Sequence, residues 1–303
     1  MIKMKINKNM MIMTLLIIAT IVIGAVITGC VTLSSQDGIL AGFEVHEWGV
    51  FCQEYNSNIV NVVTNPFEGP VFVKKPVIYF HYDENISNVV IEVNFNGDIL
   101  VTIPDAITTD GGIGWTIDIV NNSVVAPNGT VYDYLFYECQ INVSQGIIAY
   151  VVDDGVNVTF YLKNVADYRI SDIFFIYGYS TNVSMWQRGL TYVYIDTLES
   201  GEETSMTVPL NDYASYETSG IFNSLIERGL TDKEAMDLIE YWEQMWFYPT
   251  NLGSYAQILY TMPKEIYDDL LQISINPQPE IIERVGLFFV TGIPINSTHS
   301  IKQ

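Results

Sequence analysis

The sequence predicts a mainly β protein: an antiparallel β-sandwich followed by a small α+β C-terminal subdomain. About a dozen segments of strand length follow one another, separated at short spacing by Gly, Pro, Asn and Asp. Helical periodicity begins only after residue 211. The hydrophobic content of 49%, with 13% aromatic residues, is ample for a buried core and excludes a disordered chain. We therefore predict a β-sandwich region at 41–211, with 146–211 as its second module, and an α+β subdomain at 212–303.

The first 30 residues have the composition of an export signal. Three lysines precede an apolar run at 10–27, and no acidic residue occurs before Cys30. The run ends in ITGC, which resembles the lipobox of prokaryotic lipoproteins, in which the chain is cut before the cysteine and lipid is attached to its sulfur. We expect a signal peptide at 1–29, a lipidated Cys30 and a tether at 30–40. An uncleaved anchor helix is the alternative, since about 18 apolar residues just span a bilayer.

Both alternatives place the remaining chain on the extracytoplasmic face of the cell membrane, and its charge restricts its partners. Three of the 13 basic residues and none of the 35 acidic residues precede Cys30, so the chain after it carries a net charge of −25. Such a charge repels nucleic acid and anionic lipid headgroups. We expect no nucleic-acid partner, and membrane attachment only through the lipid on Cys30 or the anchor helix.

Two cysteines, Cys52 and Cys139, remain after Cys30 is assigned to lipid. An even pair in an oxidising compartment predicts a disulfide bond between them. Two buried free thiols are the alternative.

Seven Asn-X-Ser/Thr sequons indicate a glycosylated surface protein. Asn-rich composition is the alternative explanation of their number. The candidate sites are Asn85, Asn121, Asn128, Asn142, Asn157, Asn182 and Asn296.

The predicted strands come first along the chain. They lie at 43–53, 71–82, 87–95, 98–104, 115–120, 130–142, 146–152, 156–164, 169–179, 190–197 and 204–210. Asn96-Gly97 is the strongest short hairpin signal, so we predict that the strands on either side of it pair. Pro76 places the second strand at an edge or a bulge.

The period changes to that of helices in the last third of the chain. A short helix is predicted at 221–228, and Thr231 and Glu234 form a capping box that opens a second helix ending near Phe247. A strand at 255–263, a short helix at 264–271 and a strand at 284–291 follow. The second helix carries an apolar stripe that we expect to be buried, formed by Ala235, Leu238, Ile239, Trp242, Met245 and Trp246.

Several short blocks resemble those of an uncharacterised group of bacterial exported proteins. They include HEWG at 46–49, KPVIYF at 75–80 and the Trp-rich segment 234–247. The resemblance implies architecture and export, and no activity. The chain departs from the group's pattern at His81, where the group has tyrosine, and at 286–289, where GLFF replaces a run toward a second arginine. Residues 156–210 are also loosely similar to immunoglobulin-like modules, which concerns the fold alone.

The residues suited to catalysis are few. His46-Glu47 begins like the zinc-protease pattern H-E-x-x-H, but Val50 stands where the second histidine belongs. A metal site built from His46, Glu47, His81 and Asp83 conflicts with strand alternation, which points His46 and Glu47 to opposite faces. We therefore expect no metal and no cofactor.

The HEWG block is expected to be structural. His46 and Trp48 should share one face, with Trp48 packed into the sandwich, and His46 or Glu47 should anchor a turn or cap the helical segment. Glu47 should pair with a basic residue, and Arg284 is the first candidate. We accordingly expect a non-catalytic binding or structural lipoprotein with a protein or glycan partner in the envelope. The alternative is an envelope hydrolase or metal-dependent enzyme that uses His46, Glu47 and Arg284, which requires these side chains to converge in one cleft.

Overall fold

The computed structural model describes residues 38–55, 68–144, 146–180, 188–210, 218–247 and 253–297. The predicted signal peptide, Cys30 and residues 30–37 of the predicted tether lie outside the described residues, as does the Asn182 sequon. The described residues from Ile39 onward belong to one compact unit. Across these ranges, none of the helices has both the length and the apolar character needed to cross a membrane.

An eight-stranded sheet forms the centre of the unit. Its strand order is β13-β12-β15-β17-β1-β2-β9-β4. The pair β1–β17 is parallel, and the other pairs of this sheet are antiparallel. The strands are β1 (Ile39–Glu54), β2 (Glu68–His81), β4 (Gly97–Ile103), β9 (Leu135–Ser144), β12 (Ile170–Ser180), β13 (Arg188–Leu198), β15 (Tyr255–Thr261) and β17 (Gln278–Thr291).

Within the described residues, two smaller sheets accompany the central sheet. One has the order β16-β3-β6-β7-β8 with β5 added to β6, and the other has the order β14-β11-β10-β18. The strands of the first are β3 (Ile86–Asn94), β5 (Ile107–Thr109), β6 (Gly112–Val120), β7 (Ser123–Val125), β8 (Val131–Tyr132) and β16 (Gln272–Asn276). Those of the second are β10 (Ile147–Asp153), β11 (Asn157–Asn164), β14 (Glu203–Pro209) and β18 (Ile295–Ser297).

Three helices lie where helical periodicity predicts them. They are α1 (Ser219–Glu227), α2 (Asp232–Phe247) and α3 (Lys264–Leu270). The stripe of α2 is buried as expected, except that Met245 in the last turn is 38% exposed. The predicted fold class, a mainly β protein with a sandwich-like arrangement of sheets, is confirmed.

Both faces of the central sheet are covered, which explains the continuous runs of buried residues in β1 and β17. One face packs on the two smaller sheets through a core that includes Phe51, Ile91 and Phe160. The other face packs on α1 and α2 through a second core that includes Trp48 and Trp242. Alternate residues of β1 therefore enter different cores.

The structure does not separate the C-terminal segment as the sequence suggested. β15 and β17, from the segment 212–303, lie between β12 and β1 in the central sheet. The strands of 146–211 are likewise divided between the central sheet and a smaller one. The boundary predicted at 211/212 consequently does not divide the compact unit, because the C-terminal strand β17 is the hydrogen-bonded neighbour of β1 in the central sheet.

The hairpin predicted at Asn96-Gly97 is wrong. β3 pairs with β6 and β16, whereas β4 pairs with β9 in a different sheet. Neither Asn96 nor Gly97 is among the described residues with positive φ, which a type I′ turn requires at both positions. A Cβ on Gly97 would lie 1.9 Å from the carbonyl oxygen of Gln140, so this glycine permits close approach to β9.

The predicted disulfide is also wrong, because Cys52 and Cys139 are free thiols on strands separated by β2. Cys52 pairs with Phe72, and Cys139 pairs with Val73, so two strand spacings of about 4.8 Å each lie between the cysteines. That separation exceeds the Cα distance of about 7 Å that a disulfide can span. Burial raises the pKa of each thiol to about 12, which makes both poor nucleophiles.

Most of the sequons lie on the surface. Asn157 is half-buried, and the side chains of Asn85, Asn121, Asn128, Asn142 and Asn296 are exposed. Glycosylation of these sites stays a prediction.

Candidate functional site

The HEWG block lies in the middle of β1, between β2 and β17. As predicted, His46 and Trp48 share one face of β1 and Glu47 takes the other, pointing toward the core between the sheets. The prediction that Trp48 packs into the sandwich is wrong, because its face of β1 is covered by the helices. The register of β1 and β2 shifts after Trp48, and a Cβ on Gly49 would lie only 2.7 Å from the hydroxyl of Tyr267. Gly49 thus permits a bulge and a close approach at one position.

Glu47 and Arg284 form the ion pair that the sequence predicted, and both side chains are fully buried. Arg284 Nε donates to Glu47 Oε2 at 2.7 Å, and the hydroxyls of Tyr137 and Tyr267 donate to Glu47 Oε1 at 2.7 and 3.1 Å. Arg284 Nη1 donates to Asp268 and to the carbonyl of Leu271. β1, β9, β17 and α3 are joined at this point.

The electrostatics keep this network charged. Burial alone would lower the pKa of Arg284, but the Glu47 carboxylate more than compensates and raises it. Burial, and then Glu47, raises the pKa of Tyr137 and Tyr267 well above the usual range, so both hydroxyls retain their protons and donate them in hydrogen bonds. The network is a structural element of the core.

The three candidate catalytic residues do not meet in one cleft. Glu47 on β1 and Arg284 on β17 point to the inner side of the central sheet, and His46 points to the helix side. Asp83 is exposed and is not among the groups that converge with the histidines. The arrangement that the enzyme hypothesis required is therefore not formed.

The structure instead brings His46 and His81 together with Glu234. His46 Nδ1 lies 2.9 Å from Glu234 Oε2, and His81 Nε2 lies 2.8 Å from Glu234 Oε1. The two imidazole rings are diagonal neighbours on β1 and β2, with centroids 4.5 Å apart. We call these three side chains the His–Glu cluster. His46 thus contacts the start of a helix, as the sequence analysis expected.

Glu234 also closes the predicted capping box of α2. Its Oε2 accepts the backbone N–H of Thr231 at 2.8 Å, and its own N–H donates to Thr231 Oγ1 at 3.4 Å. Burial would raise the pKa of Glu234, but hydrogen bonds from His46, His81 and Thr231 outweigh it and lower the pKa to about 2. The carboxylate is therefore ionised in the folded protein.

Sequence reasoning missed this second role of Glu234. Its helix-start pattern identified the cap, but no spacing relates it to His46, which lies 188 positions away. The sequence offered one indication of the cluster: pairing of β1 with β2 in the observed register places His46 and His81 on the same face of the sheet.

A groove with a volume of 430 Å³ lies beside the cluster, between β2 and α2. Four aromatic residues line it: Trp48, Tyr79, Tyr134 and Tyr241. The Lys75 ammonium lies 3.4 Å from the centre of the Tyr241 ring, and the Tyr79 and Tyr134 rings meet edge to face at 5.4 Å.

Both positively and negatively charged side chains line the same groove. They are Lys75, Asp133, Lys233, Asp237 and Glu240. The Tyr79 hydroxyl donates to Asp237 at 3.1 Å, and Lys233 donates to the same carboxylate at 2.6 Å. The groove therefore combines aromatic faces with hydrogen-bond donors and acceptors.

No known protein family and no curated protein matches the sequence. Among solved structures, the mu-homology domain of yeast delta-COP-I, alone or complexed with the Dsl1 WxWxV peptide, is 9% identical and has a TM-score of 0.38. That similarity covers 84% of this chain and 98% of that chain. A β-glucuronidase of Bacteroides uniformis is 9% identical, with a TM-score of 0.13, over 69% of this chain and 26% of that chain. At these TM-scores the similarities carry no functional argument.

Proposed function

We propose that the protein is a lipid-anchored lipoprotein on the extracytoplasmic face of the cell membrane that binds an envelope glycan without catalysis. The observation that carries the proposal is the groove between β2 and α2. Its volume lies within the range of about 300 to 1,000 Å³ that is common for ligand sites, and a few polar groups accompany its aromatic lining.

The chemistry of the groove suits a neutral sugar. Sugar rings present C–H groups that pack on aromatic faces, and hydroxyls that both donate and accept hydrogen bonds. Tyr134 and the face of Tyr241 opposite the Lys75 ammonium supply the aromatic surfaces, and Lys233 and Glu240 supply a donor and an acceptor. The net charge of −25 after Cys30 disfavours a strongly anionic glycan.

The buried network supports a non-catalytic role for Glu47 and Arg284. The two side chains have no exposed surface, and both oxygens of Glu47 accept hydrogen bonds from protein groups. A residue held in this way stabilises the fold and does not contact a ligand.

Replacing Tyr241 by Ala is expected to weaken glycan binding by about tenfold, because one aromatic contact of about 1.4 kcal/mol is lost. Tyr241 is 45% exposed, so the unfolding midpoint should change little. The measurement is titration of the protein with soluble oligosaccharides released from the envelope of the native cells. The matched control is Tyr194→Ala, since Tyr194 is 44% exposed and does not line the groove.

The alternative to a glycan ligand is a protein partner that binds at another surface of the molecule. β4 is the terminal strand of the central sheet and exposes Ile99, Leu100, Val101 and Ile103, a surface that suits addition of a partner strand. If Leu100→Lys abolishes binding to the native envelope while Tyr241→Ala preserves it, the glycan proposal is wrong and the β4 edge is the binding surface.

The lipid anchor has its own test. Replacing Cys30 by Ser removes the sulfur to which lipid is attached, so labelling with a fatty-acid analogue should disappear and the protein should leave the membrane fraction. Cys52→Ser serves as the control, because Cys52 lies within the folded unit. Undiminished labelling of Cys30→Ser contradicts the lipoprotein assignment.

A further inference from the structure

The His–Glu cluster has the composition and geometry of a metal site that neither the fold nor the glycan groove explains. His46 comes from β1, His81 from the end of β2 and Glu234 from the first turn of α2. One ligand-type atom of each lies within 4.8 Å of the other two. Of the three histidines in the chain, two are in this cluster.

We propose that His46, His81 and Glu234 bind one divalent transition-metal ion, for which Zn²⁺ is the best match. Two imidazole nitrogens and one carboxylate oxygen form a common three-residue zinc set that leaves a fourth position for water. Mg²⁺ and Ca²⁺ favour sites built from oxygen ligands alone, so the imidazoles select against both.

The distances leave room for the ion after a small adjustment. The imidazole nitrogens lie 2.8 and 2.9 Å from the Glu234 oxygens. Zinc bonds of about 2.0 to 2.1 Å in tetrahedral geometry separate the ligand atoms by roughly 3.3 Å. Each nitrogen–oxygen pair therefore has to open by about half an ångström, and the two imidazole nitrogens, which lie within 4.8 Å of each other, have to reach the same separation.

A hydrogen bond holds one of the ligands in orientation, and a carboxylate lies near a second. A neutral imidazole that binds metal through Nδ1 carries its proton on Nε2, and His46 Nε2 lies 3.8 Å from the Glu44 carboxylate. The N–H of Thr231 fixes Glu234 Oε2. The Thr231 contact is a hydrogen bond of the kind that surrounds metal ligands in proteins, whereas Glu44 lies beyond hydrogen-bond distance of His46.

Access and charge also favour a cation. Glu234 and His46 are buried, whereas the side chain of His81 is 32% exposed, so the site reaches solvent on the His81 side. The net charge of −25 after Cys30 raises the local concentration of divalent cations. The site lies in the described part of the chain and does not depend on the proposed lipid or glycan.

Metal binding should fasten the start of α2 to β1 and β2. An ion that binds only the folded state stabilises it in proportion to its affinity. At a Zn²⁺ concentration about a hundredfold above Kd, the midpoint of thermal unfolding should rise by about 5 to 10 °C.

The experiment uses the full chain in detergent, stripped of metal with a chelator and then dialysed. Calorimetric titration with Zn²⁺ should show one ion bound per chain, and thermal unfolding should show the rise in midpoint. His81→Ala and Glu234→Gln should each abolish both effects. Glutamine still fits the capping box at position 234, so loss of binding in that variant reports the carboxylate ligand and not the helix. His299→Ala is the control and should bind Zn²⁺ like the unaltered protein.

Three results would each overturn the proposal. The first is that the unaltered protein binds no Zn²⁺. The second is that folded His81→Ala, verified by circular dichroism, binds Zn²⁺ unchanged or that His299→Ala loses binding instead. The third is that Mg²⁺ or Ca²⁺ displaces Zn²⁺ at comparable concentration, which would exclude an imidazole-based site. Loss of glycan binding in Tyr241→Ala leaves the metal result unaffected, so the two proposals fail separately.

Discussion

Replacing Glu47 by Gln is expected to lower the free energy of unfolding by about 3 to 5 kcal/mol, because breaking a buried ion pair leaves the other charge uncompensated. Arg284 is fully buried, and its remaining acidic partner is Asp268, whose side chain is 39% exposed. The glutamine amide also places donors where Tyr137 and Tyr267 now donate to a carboxylate. The measurement is equilibrium unfolding by urea.

Asp268→Asn is the matched control for Glu47→Gln. Asp268 contacts the same guanidinium at 2.9 Å, but its partial exposure should limit the loss to about 1 kcal/mol or less. If Glu47→Gln instead keeps full stability and loses ligand or metal binding, Glu47 belongs to a functional site and its structural role is excluded.

The Glu47–Arg284 pair was predictable from the sequence for a compositional reason. Only 10 basic residues follow Cys30, and strand alternation around Trp48 pointed Glu47 away from the face of His46. A carboxylate in a strand of aromatic and apolar residues needs a basic partner when it is buried. The positions of the helices and the cap at Thr231 depend on residues close together in the sequence, and they were also predicted.

The order of strands was not predictable, because it depends on contacts between distant residues. β1 and β17 pair in parallel, with His46 opposite Glu283, although more than 200 residues separate them. Local turn chemistry at Asn96-Gly97 favoured a hairpin, but pairing of β4 with β9 in another sheet prevailed. The disulfide prediction was wrong for the same reason. The even number of cysteines predicted a bond, but β2 lies between the two strands that carry them and keeps them too far apart.

The His–Glu cluster shows how both kinds of information combine. His46 and His81 are not spaced in the sequence like the ligands of a known metal motif. Strand alternation also places His46 and Glu47 on opposite faces, which excludes joint ligation by these two. The register of β1 with β2 brings the histidines to one face, and packing of α2 supplies Glu234. A residue assigned to a helix cap thereby joins a cluster formed by three separate elements.

Replacing Trp242 by Ala is expected to lower the free energy of unfolding by about 3 to 5 kcal/mol, the usual cost of a large side chain removed from a core. The ring has no exposed surface, stacks on Trp246 at 6.3 Å and meets Phe289 edge to face at 6.3 Å. Its Nε1 has no hydrogen-bond partner among the described residues. The loss of stability should therefore come from the lost burial of the indole ring and from the cavity that the alanine leaves, with no contribution from a broken hydrogen bond.

Two further variants test that account of Trp242 by urea unfolding. Met236→Ala on the same helix removes a side chain that is 43% exposed, and it should change stability by no more than about 0.5 kcal/mol. Trp242→Phe keeps an aromatic ring and removes the unpaired N–H, so it should cost less than Trp242→Ala. If Trp242→Ala proves as mild as Met236→Ala, the ring does not lie in the core, and the apolar stripe of α2 has to be assigned to a ligand-binding surface instead.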